Sequence, residues 1–144
     1  SLGQRLSQIS AQLITDTLPS LTNNTFSLKE QDEDQVTFCR IIKKEEGHIQ
    51  WTNETAVEIE RKLRAFTPWP GIFSIDHRGK RLQILKLRVL PDENHSPGIV
   101  QQKLIIGTKS GSIQVSKLKP EGKKEMHADS FLLGYSDIVG TTLH

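Results

Sequence analysis

One cysteine, one methionine, one tyrosine and two tryptophans among 144 residues leave this chain short of several kinds of chemistry. The single thiol, Cys39, has no partner for an internal disulfide, which suits a reducing compartment and predicts a cytoplasmic location. No run of eighteen apolar residues occurs, so no helix is expected to span a membrane. The opening "SLGQRLSQIS" lacks the basic-then-apolar layout of a signal segment and has the pattern of a helix interior, which predicts an excised fragment.

Catalytic constellations are lacking as well. His48, His77, His95, His127 and His144 are scattered, and none stands in an H-x-x-x-H or H-x-E setting. Gly122-Lys123 has no glycine five residues upstream, so it is not a phosphate-cradling loop. Asp32, Glu33 and Asp34 lack the turn glycine of a calcium loop and read as solvated. No residue is therefore assigned a catalytic or metal-binding role, and no cofactor is expected on this stretch of chain.

Positive charge, by contrast, is concentrated. Residues 78–124 carry eleven basic side chains against Asp92, Glu93 and Glu121, a local balance of +8 inside a chain whose net charge is only +2. Residues 1–39 and 125–144 are each acidic by three charges, and residues 40–77 cancel. A field of this kind attracts phosphate backbones.

The apolar pattern divides the chain. Leu2, Leu6, Ile9, Leu13 and Leu18 recur at helical spacing, predicting a helix over 2–18 that ends at Pro19. Residues 19–39 have no sustained periodicity and read as a surface linker. A second helix is expected over 54–66, opened by a Thr55/Glu58 capping box. Ala56, Ile59, Leu63 and Phe66 would line its inner face, with Glu58, Arg61, Lys62 and Arg64 outward and Pro68 ending it. Arg64 is expected to pair with Glu60 one turn back.

From Gly71 the pattern is β. "IFSIDH", "RLQILKLRVL", "PGIV", "KLIIG" and "SIQVSKL" are short strands, the last two joined by a hairpin at 108–111. In the second, Leu82 and Ile84 share one face while Leu85, Leu87 and Val89 share the other, a phase slip that predicts a β-bulge. A short helix over about 128–135 would follow. The expected fold is mainly β (α+β): a small, OB-like, partly open barrel preceded by a helix, with an N-terminal linker helix. Arg81, Lys86 and Arg88 would project outward from their strand, with Arg78 and Lys80 in the preceding turn and Lys117, Lys119, Lys123 and Lys124 following the last strand. Few aromatics accompany them, which favours backbone contact with double-helical RNA over base stacking.

Several ordered motifs then resemble one family. "TFCRIIKKEEGHIQW" is similar to the linker end of methionyl-tRNA formyltransferases, and "RAFTPWPG" to their R-A-F-N-P-W-P-G. "PGIV", "GSIQVSKLKPEGKKEM" and "DSFLLG" follow in the family order, so that the resemblance covers about residues 2–135. It implies that 1–39 is a linker helix and extended linker from an N-terminal Rossmann-like catalytic domain, and that 40–144 is a C-terminal OB-like tRNA-binding domain. The family transfers a formyl group from 10-formyltetrahydrofolate to initiator Met-tRNA in that other domain, so this stretch alone is expected to be inactive and monomeric.

Lys44 keeps a family position, while Ile41 stands where the family has lysine, with Arg40 and Lys43 beside it. The implied RNA-binding set is Lys43, Lys44, Arg78, Lys80, Lys86, Arg88, Lys117, Lys119, Lys123 and Lys124. Phe66, Pro68, Trp69, Pro70 and Gly71 are implied to be architectural, with Phe66 and Trp69 anchoring the helix. The alternatives are a packing domain of a formyltransferase acting on a nucleotide sugar or other small amine, and a protein-interaction barrel, which would expose an apolar patch.

Overall fold

The computed structural model describes residues 2–144 and divides into two compact units, one ending at Cys39 and the other running from Arg40 to His144. The first unit holds α1 (Leu2–Thr22), and no residue of that helix is buried. The helix continues through Pro19 instead of ending there. Proline lacks an amide but its φ suits a helix, and hydroxyls satisfy the neighbouring carbonyls: Ser20 Oγ donates to Thr17 O at 2.7 Å and Thr22 Oγ1 to Pro19 O at 2.9 Å. Further on, Asp32 caps a 3₁₀ turn by accepting from the Asp34 amide at 3.1 Å.

The second unit is built on an antiparallel sheet of five strands: β1 (Ile72–Ile75), β2 (Arg81–Leu90), β3 (Ile105–Gly107), β4 (Ser112–Pro120) and β5 (Met126–His127). Their order is β1-β2-β4-β3, with β5 also on β4, so the sheet is open. α2 (Ala56–Phe66) packs against β1 and β2, and α3 (Ala128–Gly134) against β4 and β5. One core joins them, with Ile59, Ile72, Ile113 and Phe131 fully buried.

The Thr55/Glu58 capping box is present. The Thr55 amide donates to Glu58 Oε2 at 2.8 Å, and the Glu58 amide to Thr55 Oγ1 at 3.3 Å. The Thr55 amide, and then its hydroxyl, hold the Glu58 carboxyl below the usual glutamate range. Lys62 departs from expectation. Its side chain is only 16% exposed, bonding Glu54 Oε1 at 2.8 Å and the His48 carbonyl at 2.7 Å. A lysine stem lies readily along apolar surface when its ammonium finds acceptors at the end of its reach.

Two sequence motifs meet where α2 stops. A side chain on Gly47 would overlap the Gly71 carbonyl, so "EEGHIQW" and "TPWPG" touch backbone to backbone. The Gly71 amide returns to the Phe66 carbonyl at 2.8 Å, and the Ile49 amide bonds Phe73 O at 2.9 Å. Phe66 packs against the core as expected, and Pro70 is buried. Trp69 does not anchor the helix; it is 59% exposed. The reversal that brings Gly71 back to Phe66 leaves 67–69 at its outer rim. The indole that does anchor this region is Trp51, buried with Nε1 donating to Ser74 Oγ at 2.8 Å.

"PGIV" forms no strand of its own. Pro97, Ile99 and Val100 make isolated bridges only, because Gly98 at φ +76° breaks the extended path. The 108–111 hairpin turn joins β3 to β4. The phase slip in β2 is a bulge and has a counterpart. Ile84 pairs with Leu118 and Lys86 with Lys117, leaving Leu85 as an extra residue; Leu87 then pairs with Val115, leaving Ser116 as an extra residue in β4. The two insertions cancel and restore the register.

Candidate nucleic-acid interface

The bulge pair decides where the charges go. Leu82 and Ile84 are buried before it, and Leu87 and Val89 pack on the same core after it. The residues between them therefore face away on both sides of the slip: Arg81, Gln83, Lys86 and Arg88 from β2, with Gln114, Lys117 and Lys119 opposite on β4. Neither strand contains a carboxylate. Five cations thus share one sheet face, with Lys86 directly across from Lys117 and Gln83 across from Lys119. Like charges in register repel, which is tolerable when they are exposed and screened by salt.

Several of these side chains are held. Arg88 donates to Gln114 Oε1 at 2.7 Å, and Gln114 Nε2 reaches the Lys103 carbonyl at 3.4 Å. Lys103 and Leu104 both lie in the left-handed region, at φ 58° and 54°. That geometry is costly for residues with a Cβ, and turns the chain sharply beside Gln114. The Arg81 guanidinium lies 3.8 Å over the Phe73 ring. Lys117 pairs with Glu125 at 2.6 Å, and this bond holds the Glu125 carboxyl below the usual glutamate range. Lys80, Lys86, Lys119, Lys123 and Lys124 form no ion pair among the described residues.

A second cluster forms beside this face. Arg78 and Lys80, from the β1–β2 turn, meet Lys123, from the β4–β5 turn, around a cleft of about 270 Å³. Arg78 is largely neutralised there, within 3.2 Å of Asp76 and 3.8 Å of Asp137, with its guanidinium over Tyr135 at 4.9 Å. Lys43 and Lys44 are exposed at a 3₁₀ turn, Lys44–Gly47, and line neither this cleft nor the β2–β4 face. The Lys43 amide, and then the Arg40 guanidinium at 2.6 Å, hold the Glu46 carboxyl below its usual range. Arg64 pairs with Glu60 at 2.8 Å, as the i, i+4 spacing predicts.

Gln114, Lys103 and Tyr135 belong to the arrangement without having been singled out from sequence. Gln114 carried a signal in its outward strand position, and Tyr135 in being the sole tyrosine beside an apolar helix. Lys103 carried none, since left-handed backbone is signalled by glycine or asparagine. No helix among the described residues is long and apolar enough to cross a membrane.

A family model for the formyl transferase C-terminal domain matches residues 41–136. Curated relatives include methionyl-tRNA formyltransferases of Geobacter sulfurreducens, 34% identical over 99% of this chain and 45% of that protein, and of Sulfurimonas denitrificans, 36% identical over 99% and 46%. The corresponding protein of Rickettsia canadensis is 33% identical over 99% of this chain and 46% of its own length. The chain spans a little under half the length of these relatives. Among solved structures, a variant of HypX from Aquifex aeolicus superposes with a TM-score of 0.66 at 16% identity, over 89% of this chain and 23% of that one. HypX in complex with tetrahydrofolic acid gives 0.62 at 16% identity, over 84% and 22%. At that identity the likeness is one of fold.

Proposed function

The chain belongs to the formyl transferase C-terminal domain family, and from that premise we propose that it is the RNA-holding part of a methionyl-tRNA formyltransferase. In this reading the OB-like open sheet turns its β2–β4 face to the backbone of the initiator Met-tRNA. Residues 1–39 lead from a preceding catalytic domain, where 10-formyltetrahydrofolate supplies the formyl group. The protein works in the cytoplasm, in translation initiation.

The single observation that carries the reading is the outer face of β2 and β4, strands with no carboxylate of their own. Arg81, Lys86, Arg88, Lys117 and Lys119 share one side there, and among the described residues only Lys117 of these is ion-paired, to Glu125. Such a face meets a polyanion by position and charge, without reading bases. A-form RNA presents its phosphates and shallow groove to a surface of this kind. Lys80, Lys123 and Lys124 extend the charge around one end of the sheet. Lys43 and Lys44 extend it towards the preceding domain. Arg78, already bonded to two carboxylates, contributes to the wall more than to the charge.

The test is a fluorescence titration of residues 1–144 with methionylated initiator tRNA and, separately, with a UDP-sugar. The expected result is saturable binding of the tRNA at low salt and none of the UDP-sugar, with no formyl transfer by this chain alone. Binding of the sugar nucleotide in preference to tRNA would overturn the assignment and favour a small-amine formyltransferase.

A further inference from the structure

The cleft beside the cationic face is built differently from that face, and its construction points to a ligand that is more than a phosphate. Its floor is apolar, with Leu82 and Phe131 buried in the core and Pro120 and Tyr135 beside them, while Asp76, Arg78, Lys80, Glu121 and Lys123 complete the lining. Tyr135 is fixed in place, stacked on Phe131 with ring centroids 4.6 Å apart and planes 16° from parallel. Asp76 sets the rim. Its carboxylate is 2% exposed and accepts from the amides of Arg78 at 2.9 Å and Lys80 at 2.8 Å, which locks the 76–80 turn. The same carboxylate grips Arg78 from Nε at 3.3 Å, and Arg78 lies over the tyrosine ring. Two ammonium groups of the lining, Lys80 and Lys123, form no ion pair among the described residues, and Glu121, which also lines the cleft, has its carboxylate turned to the Arg81 amide at 3.1 Å.

We propose that this cleft takes one unstacked nucleotide, its base against Pro120 and the Arg78 guanidinium that lies over Tyr135, and its phosphate between Lys80 and Lys123. The volume of about 270 Å³ suits a nucleobase with part of its ribose. A phosphate alone would leave the apolar floor of Leu82, Phe131 and Pro120 unused, and a fully paired helix cannot insert a base onto it. A bulged or looped nucleotide satisfies both halves of the site, because its face is free to pack and its phosphate remains in the backbone. The site gives a surface that otherwise tracks backbone one point at which RNA shape is read: an unpaired residue adjacent to a helix.

The inference rests on the RNA-binding reading, and the test separates the two. Residues 1–144 are titrated with two labelled RNA hairpins that differ only in one bulged nucleotide within the stem, and with uridine 5′-monophosphate. The bulged hairpin should bind about tenfold more tightly than the paired one, the size expected for stacking one base. Tyr135→Ala should bring the ratio to parity, as should the surface pair Lys80→Ala with Lys123→Ala, which keeps the result interpretable if the tyrosine variant folds poorly. Equal binding of both hairpins by the unaltered chain overturns the cleft assignment and leaves the RNA reading standing. Failure of both hairpins to bind overturns both readings. Binding of the free mononucleotide as tightly as the bulged hairpin overturns the strand-borne source in favour of a free nucleotide.

Discussion

Lys62 and Trp69 lie seven residues apart and reverse the roles their types suggest. The lysine is the inward residue, its ammonium shared between Glu54 and the His48 carbonyl, and the indole is the outward one. Removing the lysine leaves the half-buried Glu54 carboxylate without its cation, though still bonded by the Gln50 amide, and strips the His48 carbonyl of the ammonium donor. Lys62→Ala should therefore destabilise the fold by about 1–3 kcal/mol. Trp69→Ala should stay within about 0.5 kcal/mol, as for exposed positions generally. Urea denaturation of both variants checks the contrast, and a larger loss for Trp69→Ala would refute this placement. Neither role was legible in sequence. Lys62 follows the polar positions of an amphipathic helix, and only the long-range approach of residues 48–54 gives it acceptors. Trp69 carries an apolar ring, and only the return of Gly71 to the Phe66 carbonyl turns it outward. Arg64, whose partner is local in sequence, was readable as the ion pair with Glu60.

Elements that depend on local chemistry were the most readable. The Thr55/Glu58 box opens α2, and Pro68 closes it near Phe66. Thr55→Ala should cost about 1 kcal/mol at neutral pH. Glu58 adds a pH dependence of fixed sign. Its folded-state pKa is lowered, so its contribution is fully present above the usual glutamate range and is lost as pH falls through the folded value. The gap between the parent chain and Thr55→Ala should therefore be constant from pH 7 to about pH 5 and narrow towards pH 3, followed by denaturant melts across that range. A gap that widens on acidification would contradict the assigned bonds. The slip in β2 was also readable, because apolar residues changed parity at Leu85. Its partner at Ser116 leaves a matching mark, since Ile113 and Val115 fall on one parity and Leu118 on the other. Pro19 misled in the other direction, as an exposed final helical turn has hydroxyls and solvent to satisfy its carbonyls.

Across the molecule, the +8 balance of residues 78–124 gave the sign of the interface but not its layout. The layout comes from two cancelling bulges, which hold four apolar residues of β2 on the core and send its cations outward together. The cleft needed three turns and helices distant in sequence to converge, and no linear pattern announces that. Phosphate contact releases condensed counterions, so affinity for tRNA should fall on the order of 100-fold between 50 and 200 mM salt if about four phosphates are engaged. The measurement that tests the central claim most directly is the slope of log affinity against log salt for the parent chain and for Lys86→Ala with Lys119→Ala. Both lysines are exposed and unpaired on the β2–β4 face, so the double variant should bind more weakly and lower the magnitude of the slope by about two. A slope unchanged by the pair, or flat in the parent chain, would contradict the claim that this face meets the RNA backbone.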